Sequence, residues 1–223
     1  MSFVQEETYL MIYLYYTKII QQLSETEIDL LSHQLPLAIR NKIARFKNWQ
    51  DAQRCLYGNM LLLEALKDAG IKEYSLSDLK YTAHKRPYFN NEFDFNISHS
   101  GEYVVCAFSQ ECKLGVDIEL IADISLPDMK SQFSPSEWVA ILSGQNAQRS
   151  FYTHWTRKEA FLKAIGLGLS FSPDKVSFID NTIEWGNTTW YCCEVLLDVE
   201  YSCYVVSDKK NIELKLQPVS FAD

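Results

Sequence analysis

The sequence predicts an α+β fold: two similar lobes in a pseudo-twofold arrangement, each with helices packed on a small antiparallel sheet. Three observations carry this expectation. A length of 223 residues suits one large domain or two small ones. Helical periodicity followed by short strand-like runs occurs in both halves. The strands are brief and separated by turn residues, the pattern of antiparallel neighbours and not of long crossovers. A division into residues 1–110 and 111–223 follows, without a clear residue-level repeat. Hydrophobic residues at 47% and aromatics at 13% supply the core.

The elements follow in order. Thr8–Thr17, rich in Tyr, Ile and Leu, reads as a buried strand. Ser24 and Glu27 form a capping-box pattern that opens a helix running to about His33. Pro36 restarts the chain into a helix over Leu37–Phe46, and Trp49–Ala69 is a long amphipathic helix ended by Gly70. Pro87 keeps His84-Lys-Arg-Pro87 extended. Phe93–Ile97 alternates as a strand, Ser98–Gly101 reads as a turn, and Tyr103–Ser109 returns as a second strand. Leu114–Leu120 is a third strand, followed by a loop over Ile121–Gln132. Ser134 caps a helix with Pro135 at its first position. Phe151–Lys163 is a helix stopped by Gly166, and strands are expected near Lys175–Ile179, Thr189–Leu197, Tyr201–Ser207 and Ile212–Pro218.

The formal net charge is −8, from 21 basic and 29 acidic residues. A general nucleic-acid binder needs a basic footprint, so this balance argues against nucleic acid as partner. Local positive charge gathers at Arg40, Lys42, Arg45, Lys47 and Arg54. Six cysteines show neither CxxC nor Cys/His metal spacing, which fits free thiols in a reducing compartment. The run Tyr9–Tyr16 follows Glu6 and Glu7 and is too short for a leader or a bilayer span. A cytoplasmic location without membrane attachment is the expectation.

Asp117 and Glu119 lie two apart on a predicted strand and share one face, while Val116, Ile118 and Leu120 point to the core. Trp155, Glu159 and Lys163 lie one helical turn apart. Each group alone is ordinary solvated surface. Together the three carboxylates form an all-oxygen set, which selects a hard ion, Mg²⁺ or Mn²⁺, over Zn²⁺. Such sites complete their shell with water and substrate phosphate, so a phosphate-bearing substrate is expected. His99 and Ser98 offer polar groups at a strand end, and Lys42, Arg54, Lys85 and Arg86 are further phosphate candidates.

Three motifs then stand in a recognisable order: Asn96-Ile-Ser-His-Ser-Gly101, Gly115-Val-Asp-Ile-Glu119, and Trp155-Thr-Arg-Lys-Glu-Ala-Phe-Leu-Lys163 followed by Gly166-Leu-Gly-Leu169. Over about residues 8–180 the chain resembles the 4'-phosphopantetheinyl transferase superfamily, of the single-chain Sfp (surfactin-synthetase-activating) type. That resemblance implies transfer of phosphopantetheine from coenzyme A to a serine of an apo acyl or peptidyl carrier protein, with release of adenosine 3',5'-bisphosphate. It implies Mg²⁺ at Asp117, Glu119 and Glu159, with Glu159 as base and Lys163 steadying the leaving group. It places Lys42, His99 and the basic residue before Pro87 near the coenzyme phosphates. Ile39 stands where a second lysine is expected, which leaves that phosphate contact either weaker or supplied by Arg40. Met129 and Phe133, in the loop beyond the carboxylate strand, become candidate apolar anchors for the carrier, the other reading being that they are core residues. A monomer is implied. The rival readings are a non-catalytic module that binds coenzyme A or a carrier protein, and a Mg²⁺-dependent nuclease.

Overall fold

The computed structural model describes residues 9–89 and 92–221, with Leu169 lacking a described side chain. Four layers stack in the order helix, sheet, sheet, helix. The first sheet contains β1 (Leu10–Lys18), and a helical layer follows it in the chain: α1 (Glu25–Ser32), α2 (Leu37–Ile43) and α3 (Trp49–Asp68). The strand expected from Thr8 is thus seen from Leu10, Thr8 itself lying outside the described residues. Ser24 and Glu27 form the capping box of α1 in both directions. Asn48 caps α3, and the apolar spacing of Leu56, Met60, Leu61 and Leu66 turns one stripe of α3 onto the sheet. The short β2 (Lys80–Tyr81) and β3 (Pro87–Tyr88) pair as a separate ribbon.

β4 (Asp94–Ser100), β5 (Tyr103–Ser109) and β1 pair antiparallel. The sheet order is β4-β5-β1-β10, where β10 is Ile212–Pro218. The chain therefore returns to its first sheet at the end, and β10 runs parallel to β1, from Leu10 opposite Ile212 to Tyr16 opposite Pro218. Lobes made only of antiparallel pairs do not accommodate this strand.

The second sheet has the order β6-β9-β8-β7, from β6 (Leu114–Leu120), β7 (Thr182–Trp185), β8 (Thr188–Glu194) and β9 (Tyr201–Ser207). Between β6 and β7 lie α4 (Leu126–Met129), α5 (Pro135–Ser143) and the long α6 (Ala147–Ala164). Alternation splits each central strand between two cores. Val105 and Ala107 of β5 meet Val116 and Ile118 of β6 and Val205 of β9 in the layer between the sheets. Val206 and Tyr204 of β9 face the other way, onto Phe161 and Leu162 of α6.

Two sequence expectations change. Lys175–Ile179 is not a strand: Pro173–Lys175 forms a 3₁₀ turn, and Ile179 makes only an isolated bridge to Thr182. The hairpin begins instead at Thr182, and its tight turn is supported by Gly186 at φ +61. Ser98–Ser100 is not a turn but the end of β4, and the chain reverses through Gly101 and Glu102. The cause is a partner outside the local sequence, described below. The six cysteines are free, as expected. Among the described residues, no helix is long and apolar enough to cross a membrane.

Candidate active site

The edge strands β4 and β6, one from each sheet, are joined by side chains. Asp94, Asn96, Ser98 and Ser100 lie on one face of β4. They accept in succession from the backbone N–H groups of Leu114 (3.0 Å), Val116 (3.0 Å), Ile118 (3.4 Å) and Leu120 (3.0 Å). This polar ladder takes the place of a backbone ladder and satisfies N–H groups that would otherwise be buried unpaired. Two rungs do more. The Ser98 hydroxyl donates to Asp117 Oδ1 at 2.8 Å and the Ser100 hydroxyl donates to Glu119 Oε2 at 2.9 Å.

Helix α6 reaches the same place because of Gly115. A Cβ at that position would lie 2.1 Å from the Ala160 carbonyl oxygen and 2.5 Å from the Ala164 nitrogen. With no side chain there, the helix rests directly on β6. Its face then brings Trp155, Glu159 and Lys163 over Asp117 and Glu119. The C-terminal end is closed by Gly166 at φ +73, with Gly166 N–H donating to the Lys163 carbonyl and Leu167 N–H to the Leu162 carbonyl.

A cleft of about 450 Å³ is lined by Asp117, Glu119, Trp155, Glu159, Lys163, Ser98, Ile97 and His99. All three predicted carboxylates and the lysine thus face one space. Lys163 Nζ donates to Asp117 Oδ1 at 2.5 Å and to Ser98 Oγ at 2.8 Å. Asp117 Oδ2 and Glu159 Oε1 are buried without a hydrogen-bond partner. Burial first, and then the charge of Asp117, push Glu159 from 4.5 up to about 7, with Lys163 opposing and Glu119 adding. Burial and Asp117 also raise Glu119, against the pull of Ser100, Lys163 and Trp155.

Such a cluster is short of positive charge. Among the described residues, no three acidic, imidazole or thiol groups stand in a closed ligating set. The orphaned oxygens of Asp117 and Glu159 are nevertheless free acceptors of the hard type that Mg²⁺ takes, and both residues line the same cleft as Glu119. The donor set fits that ion.

Ile97 and His99 also line a second cavity of about 300 Å³, together with Lys42, Phe46, Arg54, Cys55, Tyr81 and Lys85. The two spaces therefore meet at the end of β4. Partial desolvation, then the charges of Lys163 and Arg54, lower the His99 pKa, although the side chain remains exposed at this junction. Lys42 and Lys85 are exposed on the cavity wall, Lys85 at φ +65. Arg40 is not part of that lining.

Other candidates are committed elsewhere. Arg86 turns away from the cavity: Nε donates to the Lys163 carbonyl (2.8 Å) and Nη2 to Asp94 Oδ2 (2.9 Å) and the Leu114 carbonyl (2.9 Å). It clamps the joint between the sheets, with these donors committed away from the cavity. Ser98 spends its hydroxyl hydrogen on Asp117. Arg54 lines the cavity but grips the Gly101 carbonyl with Nε (3.1 Å) and Nη2 (2.7 Å) and Asp51 with Nη1 (2.8 Å). Phe133 is core, packed with Trp138, Ile141 and Phe151, and Met129 lies against the same cluster. Phe133 is therefore not an exposed anchor, while Met129 remains half-buried. Ser100, Asn96 and Asp94 were absent from the sequence candidates. Their signal was the alternation of short polar residues through β4, which resembles a turn when read locally.

The fold and cleft define a two-sheet α+β protein with a cavity bearing Lys42, Arg54 and Lys85 that opens onto a carboxylate cleft. Comparison with known proteins gives the family. The description "4'-phosphopantetheinyl transferase superfamily" fits residues 113–211, and "4'-phosphopantetheinyl transferase, N-terminal" fits residues 22–111. The chain is 36% identical over 146 residues to 4'-phosphopantetheinyl transferase Sfp of Bacillus subtilis, covering 62% of this chain and 63% of that protein. It is 32% identical over 162 residues to the transferase gsp of Aneurinibacillus migulanus, covering 71% and 68%. An L-aminoadipate-semialdehyde dehydrogenase-phosphopantetheinyl transferase of Xenopus laevis is 29% identical over 194 residues, covering 73% and 64%. The matches thus span just under two thirds of the Bacillus and frog proteins. The chain belongs to the 4'-phosphopantetheinyl transferase superfamily.

Proposed function

We propose that this chain transfers the 4'-phosphopantetheine group from coenzyme A to a serine of an apo acyl or peptidyl carrier protein, releasing adenosine 3',5'-bisphosphate. One observation carries the reading: two buried carboxylates with unpartnered oxygens, Asp117 and Glu159, face a cleft that opens at His99 onto a basic cavity. In this reading residues 1–110 supply the coenzyme phosphate contacts and residues 111–223 the carboxylates. Lys42 and Lys85 meet phosphate charge on the cavity wall, and His99 donates where cavity and cleft join. Asp117, Glu119 and Glu159 would hold Mg²⁺, which supplies neutralising charge for the diphosphate.

The chain's own groups do the rest. Glu159, raised toward neutrality by burial and Asp117 in the metal-free site and held ionised where it would share Mg²⁺, is placed to take the proton from the acceptor hydroxyl. The serine oxygen forms its bond to phosphorus as the bond from phosphorus to the nucleotide oxygen breaks. Lys163, one turn beyond Glu159, faces the charge that develops on the departing bisphosphate. Ser98 and Ser100 hold Asp117 and Glu119 in place through the transfer. One chain lines both spaces, so a cytoplasmic monomer suffices.

The test is to incubate the protein with an apo carrier protein, coenzyme A and Mg²⁺ and to weigh the carrier intact. A gain of one phosphopantetheine, lost in EDTA and in Glu159→Gln, is the expected result. Coenzyme A binding without any mass gain across several carriers would reduce the chain to a binding module.

A further inference from the structure

The residue before the proposed base is a lysine with no exposure, pointing away from the cleft. Lys158 is 0% exposed, and its ammonium donates to Glu137 Oε2 (2.8 Å), the Pro173 carbonyl (2.8 Å) and the Gln132 carbonyl (3.3 Å). These three contacts use all three donors of a lysine. The nitrogen also lies 4.8 Å from the centre of the Phe133 ring. Glu137 Oε2 is itself the capping acceptor for the Ser134 N–H and hydroxyl at 2.9 Å each. One buried cation therefore ties α6 to three separate stretches: the end of the 121–133 connection, the first turn of α5, and the turn that follows α6.

The connection matters most. It leaves β6 directly after Glu119 and Leu120, and it ends at Lys158. Phe133 also packs against Trp155, with ring centres 6.4 Å apart, and Trp155 lines the cleft. The coenzyme cavity lies on the other lobe and contains no residue of this connection. A hydrophobic pair of similar volume would hold these segments at least as firmly as a buried ion pair. The directional, fully used donor set instead fixes where the connection and α5 stand relative to Glu159.

We infer that Lys158 is a positioning residue: paired with Glu137, it holds the 121–133 connection and α5 against α6 and so sets the acceptor side of the cleft beside Glu159. This inference rests on the transferase reading. Carrier-protein use should depend on the pair, and coenzyme A binding should not.

The test uses Lys158→Met/Glu137→Gln, which removes both charges together and leaves neither unpaired. Wild type and variant are compared by carrier titration, coenzyme A titration and hydrogen exchange. The expected result is a folded variant with coenzyme A affinity within twofold of wild type and an apparent carrier KM raised about tenfold. Amides of residues 126–133 should exchange at least tenfold faster, and those of 160–165 should not. An unchanged carrier KM with unchanged exchange overturns the inference, as does an equal loss of coenzyme A binding, which marks a purely structural role. Should the double variant fail to fold, Lys158→Gln/Glu137→Gln keeps an uncharged polar pair at the same place, and the same split between carrier and coenzyme A must appear. A wild-type protein that transfers nothing sinks the transferase reading instead, while the exchange result still judges the tie.

Discussion

Glu159 sits where the fold tolerates a charge poorly, and that has a measurable stability cost. Its carboxyl is 8% exposed, one oxygen has no partner, and burial and Asp117 push its pKa from 4.5 to about 7. Below about pH 4.5 the group is protonated in both folded and unfolded chains, so no penalty exists. Between 4.5 and about 7 the unfolded chain releases a proton that the folded chain keeps. Stability therefore falls as pH rises through this window, and above it the whole penalty is present. A displacement of that size corresponds to about 3 kcal/mol at 1.36 kcal/mol per pKa unit. Glu159→Gln keeps the shape and removes the charge. Urea denaturation in EDTA at pH 8 should find the variant more stable by roughly 2–4 kcal/mol, and at pH 4.5 within about 0.5 kcal/mol of wild type. Mg²⁺ should stabilise the wild type at pH 8 and the variant far less. A variant equally or less stable at pH 8, or a gap independent of pH, would refute the reasoning.

Three other outcomes follow from the geometry. Gly115→Ala places a methyl against backbone atoms of α6 at 2.1 and 2.5 Å; it should cost about 3 kcal/mol, or roughly 6–12 °C in a thermal melt, and a Tm within about 2 °C would mean that α6 can step away freely. Arg86→Ala strands Asp94 in the joint and should cost about 3–5 kcal/mol in urea, whereas Lys85→Ala should stay within about 0.5 kcal/mol of wild type and weaken coenzyme A in calorimetry; the opposite pattern would exchange their roles. Lys42→Ala should weaken coenzyme A and spare dephospho-coenzyme A, and an equal loss for both would move Lys42 off the 3'-phosphate.

The carboxylate strand was legible because its information is local. Gly115–Leu120 alternates with period two, and both consequences of that period hold: Val116 and Ile118 are buried, and Asp117 and Glu119 share the opposite face. Helix α6 was equally plain, since Trp155, Glu159 and Lys163 repeat at one turn. What the sequence hid depends on partners far along the chain. Ser98–Ser100 reads as a turn until β6 is brought alongside to receive its hydroxyls. Arg86 has the composition of a phosphate ligand, and only the approach of Asp94, Leu114 and Lys163 shows where its donors go. Phe133 and Lys158 each have local readings as surface, yet both are interior because α5 folds back over α6. Strand β10 was found at its correct limits, but nothing in its own residues distinguishes a parallel neighbour from an antiparallel one.

The pairing of β1 with β10 sets an order on biosynthesis. The neighbour on one side of β1 is translated roughly 200 residues after it, as Leu10 pairs with Ile212. At a typical ~5–20 residues per second, that edge stays bare for about 10–40 s. During that interval Leu10–Tyr16 is an apolar strand with open hydrogen-bonding groups, the kind of edge that recruits other chains. Yield of this protein in a cell should therefore respond more to chaperones that shield nascent chains than to the stability of the finished molecule.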